Sequence, residues 1–381
     1  MERPTTVNET VVRRARFTVL VIFFLHGAIF ATWVSRIPEV KSQIGLSDSQ
    51  LGLALLGLAS GSMVAMPVAG WLIGRLGSRS VTAAASLVFC SGLFLPGLAY
   101  SQLTLALSLA VLGAAAGSMD VSMNTHAVAV ERAAGRPVLS AIHAAYSIGG
   151  IAGAVFGWLI SRLGVAPRTH FLAAGILGVA ATLLVTPGFL PGHVDSAPQS
   201  RGKLRLTPAL LGLGALTFCF FLAEGAIADW SGLYLRGSAL GYALFSTTMT
   251  IGRLGGDGLR HRFSPRVLVA TGSAIAAGGL ALALAAPMSA LAGFAIVGVG
   301  CSVVVPVVFG ASASVHDGST GAAMAFLIMS GAAGLFAGPP AIGFAADAFT
   351  LRVALWFVVV LLLAGVALAP AVATKRTVPT H

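Results

Sequence analysis

The chain has 381 residues, of which 57% are hydrophobic and only 9% are charged, and its mean hydropathy is +0.92. Its polar residues are too few to cover a water-soluble surface, so the composition excludes a soluble protein and indicates a protein of the lipid bilayer. The net charge of +11 is compatible with nucleic-acid binding, but the distribution of the basic residues, described below, argues against a nucleic-acid partner.

Apolar runs long enough to cross a bilayer fill most of the chain. A spanning helix needs about 20 apolar residues at a rise of about 1.5 Å per residue. The first run follows Arg13, Arg14 and Arg16 like a signal peptide, but it lacks a small-residue cleavage site, so we interpret it as a retained first span. The predicted spans are 15–34, 49–74, 80–100, 102–130, 138–163, 168–190, 207–235, 241–258, 265–286, 289–314, 319–346 and 350–373.

One long polar connection divides these spans into two groups of six. It carries Pro191, Pro198 and three basic residues, which is typical of a linker. The sequence therefore predicts a six-helix bundle over 1–190, a cytoplasmic linker over 191–206 and a second six-helix bundle over 207–381.

The two groups also share a sequence repeat. The motif Phe23-Phe24-Leu25 … Trp33 recurs as Phe220-Phe221-Leu222 … Trp230 at a spacing of 197 residues, and Gly27-Ala28-Ile29 recurs as Gly225-Ala226-Ile227 at a spacing of 198. Duplicated halves within one membrane protein are typical of secondary transporters, which bind solutes where the halves meet.

Positive charge predicts the orientation of the spans. Of the 23 Lys and Arg residues, sixteen fall on the side that holds both termini, six fall on the other side, and Arg253 lies within a span. Because cytoplasmic loops carry the excess of basic residues, both termini are expected in the cytoplasm of a protein of the inner membrane.

Short local patterns predict how the helices begin and pack. Ser47 and Gln50 have the spacing of a capping box at the start of span two. Glycines at four-residue spacing allow close helix contact. These are Gly57 and Gly61, and Gly149, Gly153 and Gly157.

The sequence contains no pattern typical of an enzyme. A P-loop, a GxSxG elbow and an HExxH motif are all absent, so neither ATP-driven transport nor catalysis is indicated. Cys90, Cys219 and Cys301 lie in apolar runs, where a thiol acts as a small hydrophobe and no disulfide is implied. No cofactor is expected.

A second repeat lies in the loops. Gly70-x-Leu72-x-x-Arg75-x-Gly77-x-Arg79 closes span two, and Leu259, Arg262 and Arg266 close span eight at a constant offset of 187. Weaker echoes are Gly157 to Gly164 after span five and Gly343 with Asp347 after span eleven. This pattern resembles the loop signature of the major facilitator superfamily over essentially the whole chain. The resemblance implies twelve transmembrane helices in two pseudo-symmetric six-helix bundles.

Further residues resemble the fucose-permease-like and YbjJ-like bacterial branch of that superfamily. They are Asp120-Val-x-Met123-Asn124, Glu131, Arg136-Pro137, Ser140, His143 and Ser147-x-Gly149-Gly150. Some features of the superfamily are missing: Gly74 replaces the acid of the first loop signature, Leu109 replaces the span-four arginine of drug exporters, and Ala154 replaces the proline of their span-five motif.

Ionisable residues within the spans are candidate functional groups, because each costs about 2.5 to 3.5 kcal/mol to insert. Asp120 lies deep in span four with Asn124 one turn away, and a desolvated carboxylate can exchange a proton near neutral pH. The resemblance also implies a proton-linked acid in span four. His143 and Tyr146 of span five are expected at similar heights, as partners of this acid or of a substrate. The alternatives are a permanently paired acid and a histidine bonded to a backbone carbonyl.

The repeat relates His26 to Glu224, each six or seven residues before its tryptophan. We expect both at mid-membrane depth in a substrate or proton role, the alternative being interhelical hydrogen bonds that hold the halves together. Asp229 is predicted nearer the outer end of span seven, as a gate residue. Trp33 and Trp230 are expected as membrane-interface anchors or, alternatively, as ligand-stacking residues.

Span eight and the signature loops supply the remaining candidates. Arg253 and Asp257 are four residues apart, so we predict that they pair along one helix face, and the Arg253 fork also suits an anionic or polyhydroxyl solute. Gly70 and Arg79 belong to the signature. The resemblance implies a gating role for Arg75 and Arg262, whereas cytoplasmic topology alone also accounts for their charge.

These observations predict a secondary active transporter that moves a small polar, sugar-like organic solute by alternating access. Proton-coupled symport is favoured because the exporter arginine and proline are absent. The alternatives are a proton-coupled drug or metabolite efflux antiporter and, from another class, a non-transporting membrane sensor or assembly protein. The expected partners are the solute, protons and lipid, and the expected state is a monomer.

Overall fold

The computed structural model describes residues 9–136, 138–190, 206–315 and 320–372, and within these ranges it contains eleven α-helices and no β-strand. The helices are α1 (Glu9–Ile44), α2 (Asp48–Gly92), α3 (Gln102–Ala134), α4 (Leu139–Arg162), α5 (Pro167–Val185), α6 (Pro208–Tyr234), α7 (Leu240–Arg262), α8 (Pro265–Ala285), α9 (Ala290–Val315), α10 (Thr320–Ala348) and α11 (Leu351–Leu368).

Two predicted spans merge into the single helix α2. This helix has 45 residues and is interrupted at Gly77, whose backbone adopts φ 77° and ψ 155°. A positive φ of this size is accessible mainly to glycine, which explains the second glycine of the loop signature. Ten segments of the described chain are long and apolar enough to span a membrane, including one of 51 residues from Asp48 to Leu98. The total of twelve spans therefore stays a prediction, and the predicted linker lies outside the described residues up to position 205.

The chain forms two compact units. Unit 1 comprises Met1–Leu46 and Leu53–Ala197, and unit 2 comprises Ser47–Gly52 and Pro198–His381. In unit 1, α1 packs against α4 and also contacts α3 and α5. In unit 2, α9 packs against both α7 and α8, and α6 packs against α10 and α11. The repeated sequence motifs thus lie on α1 of unit 1 and on α6 of unit 2.

The predicted glycine contacts are confirmed in unit 1. A Cβ added to Gly149 or Gly153 would collide with the backbone of α1, at the carbonyl groups of Phe24 and Ala28 respectively. Gly57 and Gly61 of α2 meet the α3 backbone in the same way, at the carbonyl groups of Ala106 and Ala110. Side chains larger than hydrogen would push these helices apart, so the glycines set the distance between α1 and α4 that positions the polar groups described below.

The start of α2 confirms the predicted capping box and adds a third member. The Ser47 N–H donates to Gln50 Oε1 at 2.9 Å, and the Gln50 N–H donates to Ser47 Oγ at 3.2 Å. Asp347, near the end of α10, accepts the N–H groups of Asp48 and Ser49 at 2.9 and 3.0 Å. The Ser47 hydroxyl also donates to Asp347, at 2.8 Å. All these residues belong to unit 2, and the carboxylate satisfies backbone donors that the first turn of a helix leaves open.

Burial corrects one expectation and confirms another. Trp33 and Trp230 are fully buried, so the prediction that they are membrane-interface anchors is wrong. Each packs inside its own unit, because the repeated motif places it on the face of the helix that contacts the rest of the bundle. The three cysteines are free and buried, as predicted.

Candidate functional site

The polar centre of unit 1 is formed around His26 on α1. Its side chain is only 8% exposed and lies against the rings of Phe89 and Tyr146, with centroid distances of 5.1 and 5.5 Å. His26 Nδ1 is buried and has no hydrogen-bond partner within the described part of the chain. The Asp120 carboxylate is close enough to His26 for the two to interact electrostatically. Unit 1 therefore holds an imidazole and a carboxylate within electrostatic reach of each other.

Asp120 is held in place by its own helix. The Asn124 amide donates to the Asp120 backbone carbonyl at 2.8 Å and to Asp120 Oδ1 at 3.1 Å. This arrangement follows from the four-residue spacing on α3, which puts the two side chains on one helix face. The Asn124 amide is uncharged, so this contact places no counter-ion beside the carboxylate.

The two predicted partners on α4 differ in their contacts. Tyr146 contributes the ring that packs on His26, so the structure brings it to the polar centre. His143 is exposed, its Nδ1–H donates to the Leu139 carbonyl at 2.9 Å, and its ring meets Phe23 edge-on at 5.3 Å. For His143 the backbone-bonded alternative is the one that the structure shows.

In unit 2 the central feature is an ion pair between two helices. Arg253 Nη2 on α7 lies 3.5 Å from Glu224 Oε1 on α6, with side-chain exposures of 39% and 22% respectively. Cys301 on α9 is fully buried within electrostatic reach of both groups. Both charged residues were predicted as candidates from the sequence, but their pairing was not. Their pairing could have been predicted, since opposite charges within membrane spans are expected to pair with one another.

Two other acidic candidates lie in the same unit. Asp229 is half-buried on α6 beside Trp230, and its gating role stays a prediction. Asp257 lies on α7, but its side chain is outside the described residues, so its predicted pairing with Arg253 is untested.

The signature residues lie at the end of the first part of α2 and at the end of α7. The Arg75 guanidinium stacks over the Trp71 ring one turn earlier, 4.1 Å from its centroid. Gly70 is exposed, with open space where a Cβ would lie. Arg79 is half-buried just after the break at Gly77, and Arg262 is exposed. Their gating roles stay predictions.

Sequence reasoning missed a buried polar cluster at the end of α1. Arg36 is 2% exposed, its Nη2 donates to the Val165 carbonyl at 2.5 Å, and its Nε lies 3.4 Å from Glu39 Oε1. The Ser161 hydroxyl donates to the same Glu39 oxygen. Arg36 lies just beyond the predicted end of the first span at residue 34, and the structure buries it against the α4–α5 connection.

A second missed cluster surrounds His126 on α3. Its Nδ1 and the Ser78 hydroxyl are 2.7 Å apart, and its Nε2 accepts the Leu190 N–H at 3.2 Å. His126 is 1% exposed and meets the Phe189 ring edge-on at 4.7 Å. Because Nε2 accepts a hydrogen bond, the imidazole is neutral and carries its proton on Nδ1. This histidine ties α3 to the break in α2 and to the end of the sixth predicted span.

Comparison with known sequences identifies relatives along nearly the full chain. The sequence profile of the Major Facilitator Superfamily matches residues 18–261. The chain is 39% identical to an uncharacterised MFS-type transporter of Yersinia pestis over 362 residues, which covers 92% of this chain and 94% of the relative. It is 33% identical to the membrane protein MosC of Rhizobium meliloti, covering 88% of this chain and 85% of that protein.

Solved structures show the same fold at low sequence identity. A bacterial homologue of the human lysosomal transporter Spinster, in an inward-facing conformation, matches with a TM-score of 0.75 and 16% identity over 95% of this chain and 97% of that one. A D-xylose–proton symporter matches with a TM-score of 0.73 and 12% identity over 94% and 97%. The transporter FucP in its outward conformation matches with a TM-score of 0.63 and 19% identity over 94% and 99%.

Proposed function

The chain belongs to the major facilitator superfamily of transporters, and on that basis we propose that it moves a small polar, sugar-like solute together with protons by alternating access. The observation that carries the proposal is the buried His26, whose Nδ1 has no hydrogen-bond partner among the described residues and which lies within electrostatic reach of Asp120. His26 is buried and carries a positive charge when protonated. Asp120 accepts a hydrogen bond from the Asn124 amide and carries a negative charge when ionised. In this proposal the two groups form a site that can hold and release a proton.

The coupling role falls to Asp120. In this proposal the ionised Asp120 attracts a proton, which binds to Asp120 itself or to His26. Once Asp120 is protonated, the helix bundle no longer contains its negative charge. A scaffold protein would gain nothing from these groups, since apolar side chains would avoid their insertion cost of about 2.5 to 3.5 kcal/mol each. A structural neighbour that is a D-xylose–proton symporter supports proton symport of a sugar-like solute.

The same proposal includes the arrangement of the chain in the membrane. We assign both termini to the cytoplasm of an inner-membrane monomer, with six spans in each half, 1–190 and 207–381. The support is the excess of Lys and Arg in the connections on one side of the predicted spans. Accessibility of single cysteines placed at Glu9 and at Arg236 tests the orientation. We expect labelling from opposite sides of the membrane, and labelling from one side would contradict it.

The proton-coupling proposal is tested in liposomes that contain the purified protein and the trapped pH indicator pyranine. A panel of sugars, polyols and sugar acids is added outside, with the membrane potential clamped by potassium and valinomycin. We expect at least one solute to carry protons inward and acidify the lumen, and we expect Asp120→Asn to lower that signal by one proton per solute. The control variant is Glu9→Gln, which changes an exposed carboxylate in the first turn of α1. Proton movement in Asp120→Asn equal to that of the wild type would contradict the role of Asp120.

A further inference from the structure

The ion pair of unit 2 has the properties of a site at which a solute competes with Glu224 for Arg253. Arg253 contacts Glu224 through one nitrogen at 3.5 Å, and its side chain remains 39% exposed. Glu224 Oε1 is buried without a hydrogen-bond partner among the described residues. The pair is therefore held by charge at a distance, and among the described side chains this single contact does not saturate the guanidinium fork.

A carboxylate is the group that best completes this fork. Two parallel N–H···O bonds from a guanidinium to a carboxylate are shorter and stronger than a single contact at 3.5 Å. An uncharged hydroxyl offers one oxygen and no charge, so it cannot displace Glu224 from the arginine at comparable affinity. We propose that the solute is a small organic carboxylate whose carboxyl group takes Arg253 from Glu224, and that the released Glu224 then takes up a proton.

The proton uptake follows from charge balance in unit 2. Before binding, the positive charge of Arg253 is offset by Glu224. After binding, Arg253 is offset by the solute, and an ionised Glu224 would be left without a partner at a depth where an unpaired charge is strongly disfavoured. A proton on the Glu224 oxygen removes that charge, and it is lost again when the solute leaves and Arg253 returns. One proton is thus bound and released by Glu224 for each carboxylate that binds and leaves.

Cys301 and the packing of α9 support a site of fixed geometry at this point. A Cβ added to Gly252, next to Arg253, would collide with Ser302 Oγ on α9. This close contact of α7 with α9 sets the position from which Arg253 reaches α6. The fully buried Cys301 contributes an apolar wall beside the pair, which strengthens the interaction between charges.

This inference rests on the proton-coupled transport proposed above, and matched solute pairs separate the two. The probes are radiolabelled D-gluconate with D-sorbitol and L-lactate with 1,2-propanediol, each a carboxylate with its uncharged counterpart. With the membrane potential clamped at zero, the slope of the logarithm of accumulation against the pH difference gives the number of protons per solute. We expect the wild type to accumulate at least one carboxylate and to leave its uncharged counterpart at equilibrium.

The variants then test each member of the pair. Glu224→Gln is expected to lower the carboxylate slope by one proton while it keeps downhill carboxylate entry. Arg253→Lys is expected to raise the carboxylate KM by at least about tenfold, since the bidentate fork is lost. Arg13→Lys is the matched control, because Arg13 is exposed on α1 and belongs to neither the pair nor the loop signature. The double variant Glu224→Gln with Arg253→Gln removes both charges of the pair, so neither is left unpaired. If it elutes as a monodisperse peak, its loss of carboxylate binding is not unfolding.

The possible outcomes are distinct. Equal accumulation of the uncharged counterparts, or a carboxylate slope unchanged in Glu224→Gln, overturns the competition at Arg253 and leaves proton coupling through Asp120 intact. Failure of the wild type to move any member of either pair under a pH gradient contradicts both proposals.

Discussion

Unit 1 and unit 2 carry their ionisable side chains in different arrangements, although their first helices share a repeated motif. In unit 1, Asp120 accepts a hydrogen bond from a side-chain amide of its own helix and lies within electrostatic reach of the buried His26. In unit 2, Glu224 forms an ion pair with Arg253 from the next helix. An acid beside an imidazole can change its charge at little cost, whereas an acid paired with arginine changes its charge only when the arginine finds another anion.

This difference suggests a division of labour within one transporter. The duplicated motif keeps a tryptophan in each unit, but its ionisable residue differs. That residue is His26 in unit 1 and Glu224 in unit 2, offset by one position in the aligned motifs. We propose that unit 1 exchanges a proton through Asp120 with any transported solute, and that unit 2 exchanges a proton only when a carboxylate takes Arg253.

The packing beneath the unit 1 site is the first target. Gly149→Leu places a branched side chain against the Phe24 carbonyl, and we expect it to separate α1 from α4 and to abolish recovery of monodisperse protein. Fluorescence-detected size-exclusion chromatography measures the recovery. The matched control is Gly278→Leu in unit 2, where no atom lies within 4 Å of an added Cβ. Recovery of Gly149→Leu at the level of that control would contradict the close contact.

Removal of one member of the unit 2 pair comes next. Glu224→Ala leaves Arg253 without its partner, and we expect a loss of about 1 kcal/mol of stability, since both side chains are partly exposed. Adding Arg253→Ala to this variant is expected to recover part of the loss. Thermal unfolding in detergent provides the double-mutant cycle. Additive effects of the two substitutions would show that the pair contributes no coupling energy.

The first turn of α2 comes from the first half of the sequence but belongs to unit 2. Its hydrogen bonds to Asp347 can be tested by substitution. Asp347→Ala removes the acceptor of the Asp48 and Ser49 N–H groups, and we expect a loss of about 1 kcal/mol, as for other helix caps. Asp347→Asn, which keeps an acceptor oxygen, is expected to lose less. Thermal unfolding compares the two, and equal stability of Asp347→Ala and the wild type would exclude a capping contribution.

The smallest expected effect concerns the ring that covers His26. Tyr146→Phe keeps the aromatic contact at 5.5 Å, so we expect transport to change by about threefold or less, which corresponds to less than about 1 kcal/mol. Tyr146→Ala removes the contact and is expected to have the larger effect. Initial rates of uptake in proteoliposomes measure both, and equal losses in the two variants would assign the role to the hydroxyl group instead.

The sequence predicted much of the architecture because its signals are local or periodic. The capping box of Ser47 and Gln50 and the close approach of Gly149 and Gly153 follow from spacings of three and four residues, and the structure confirms both. The family was indicated by the loop signature, whose glycine at 77 has the positive φ that a side chain disfavours.

The missed features depend on contacts between distant parts of the chain. Arg36 reaches the Val165 carbonyl 129 residues away, and Asp347 caps a helix 299 residues before it. No spacing rule encodes such pairs. Trp230 shows the related error: aromatic residues near a predicted span end were assigned to the membrane interface, whereas the packing of α6 against neighbouring helices buries this side chain completely.

The central claim is that Asp120 carries a proton across with the solute. The most direct test is the accumulation of a transported solute at several pH differences, with the membrane potential clamped at zero, in liposomes that contain the wild type or Asp120→Asn. We predict that the slope of the logarithm of accumulation against the pH difference is lower by one in Asp120→Asn, with solute exchange retained. An unchanged slope in that variant would contradict the claim.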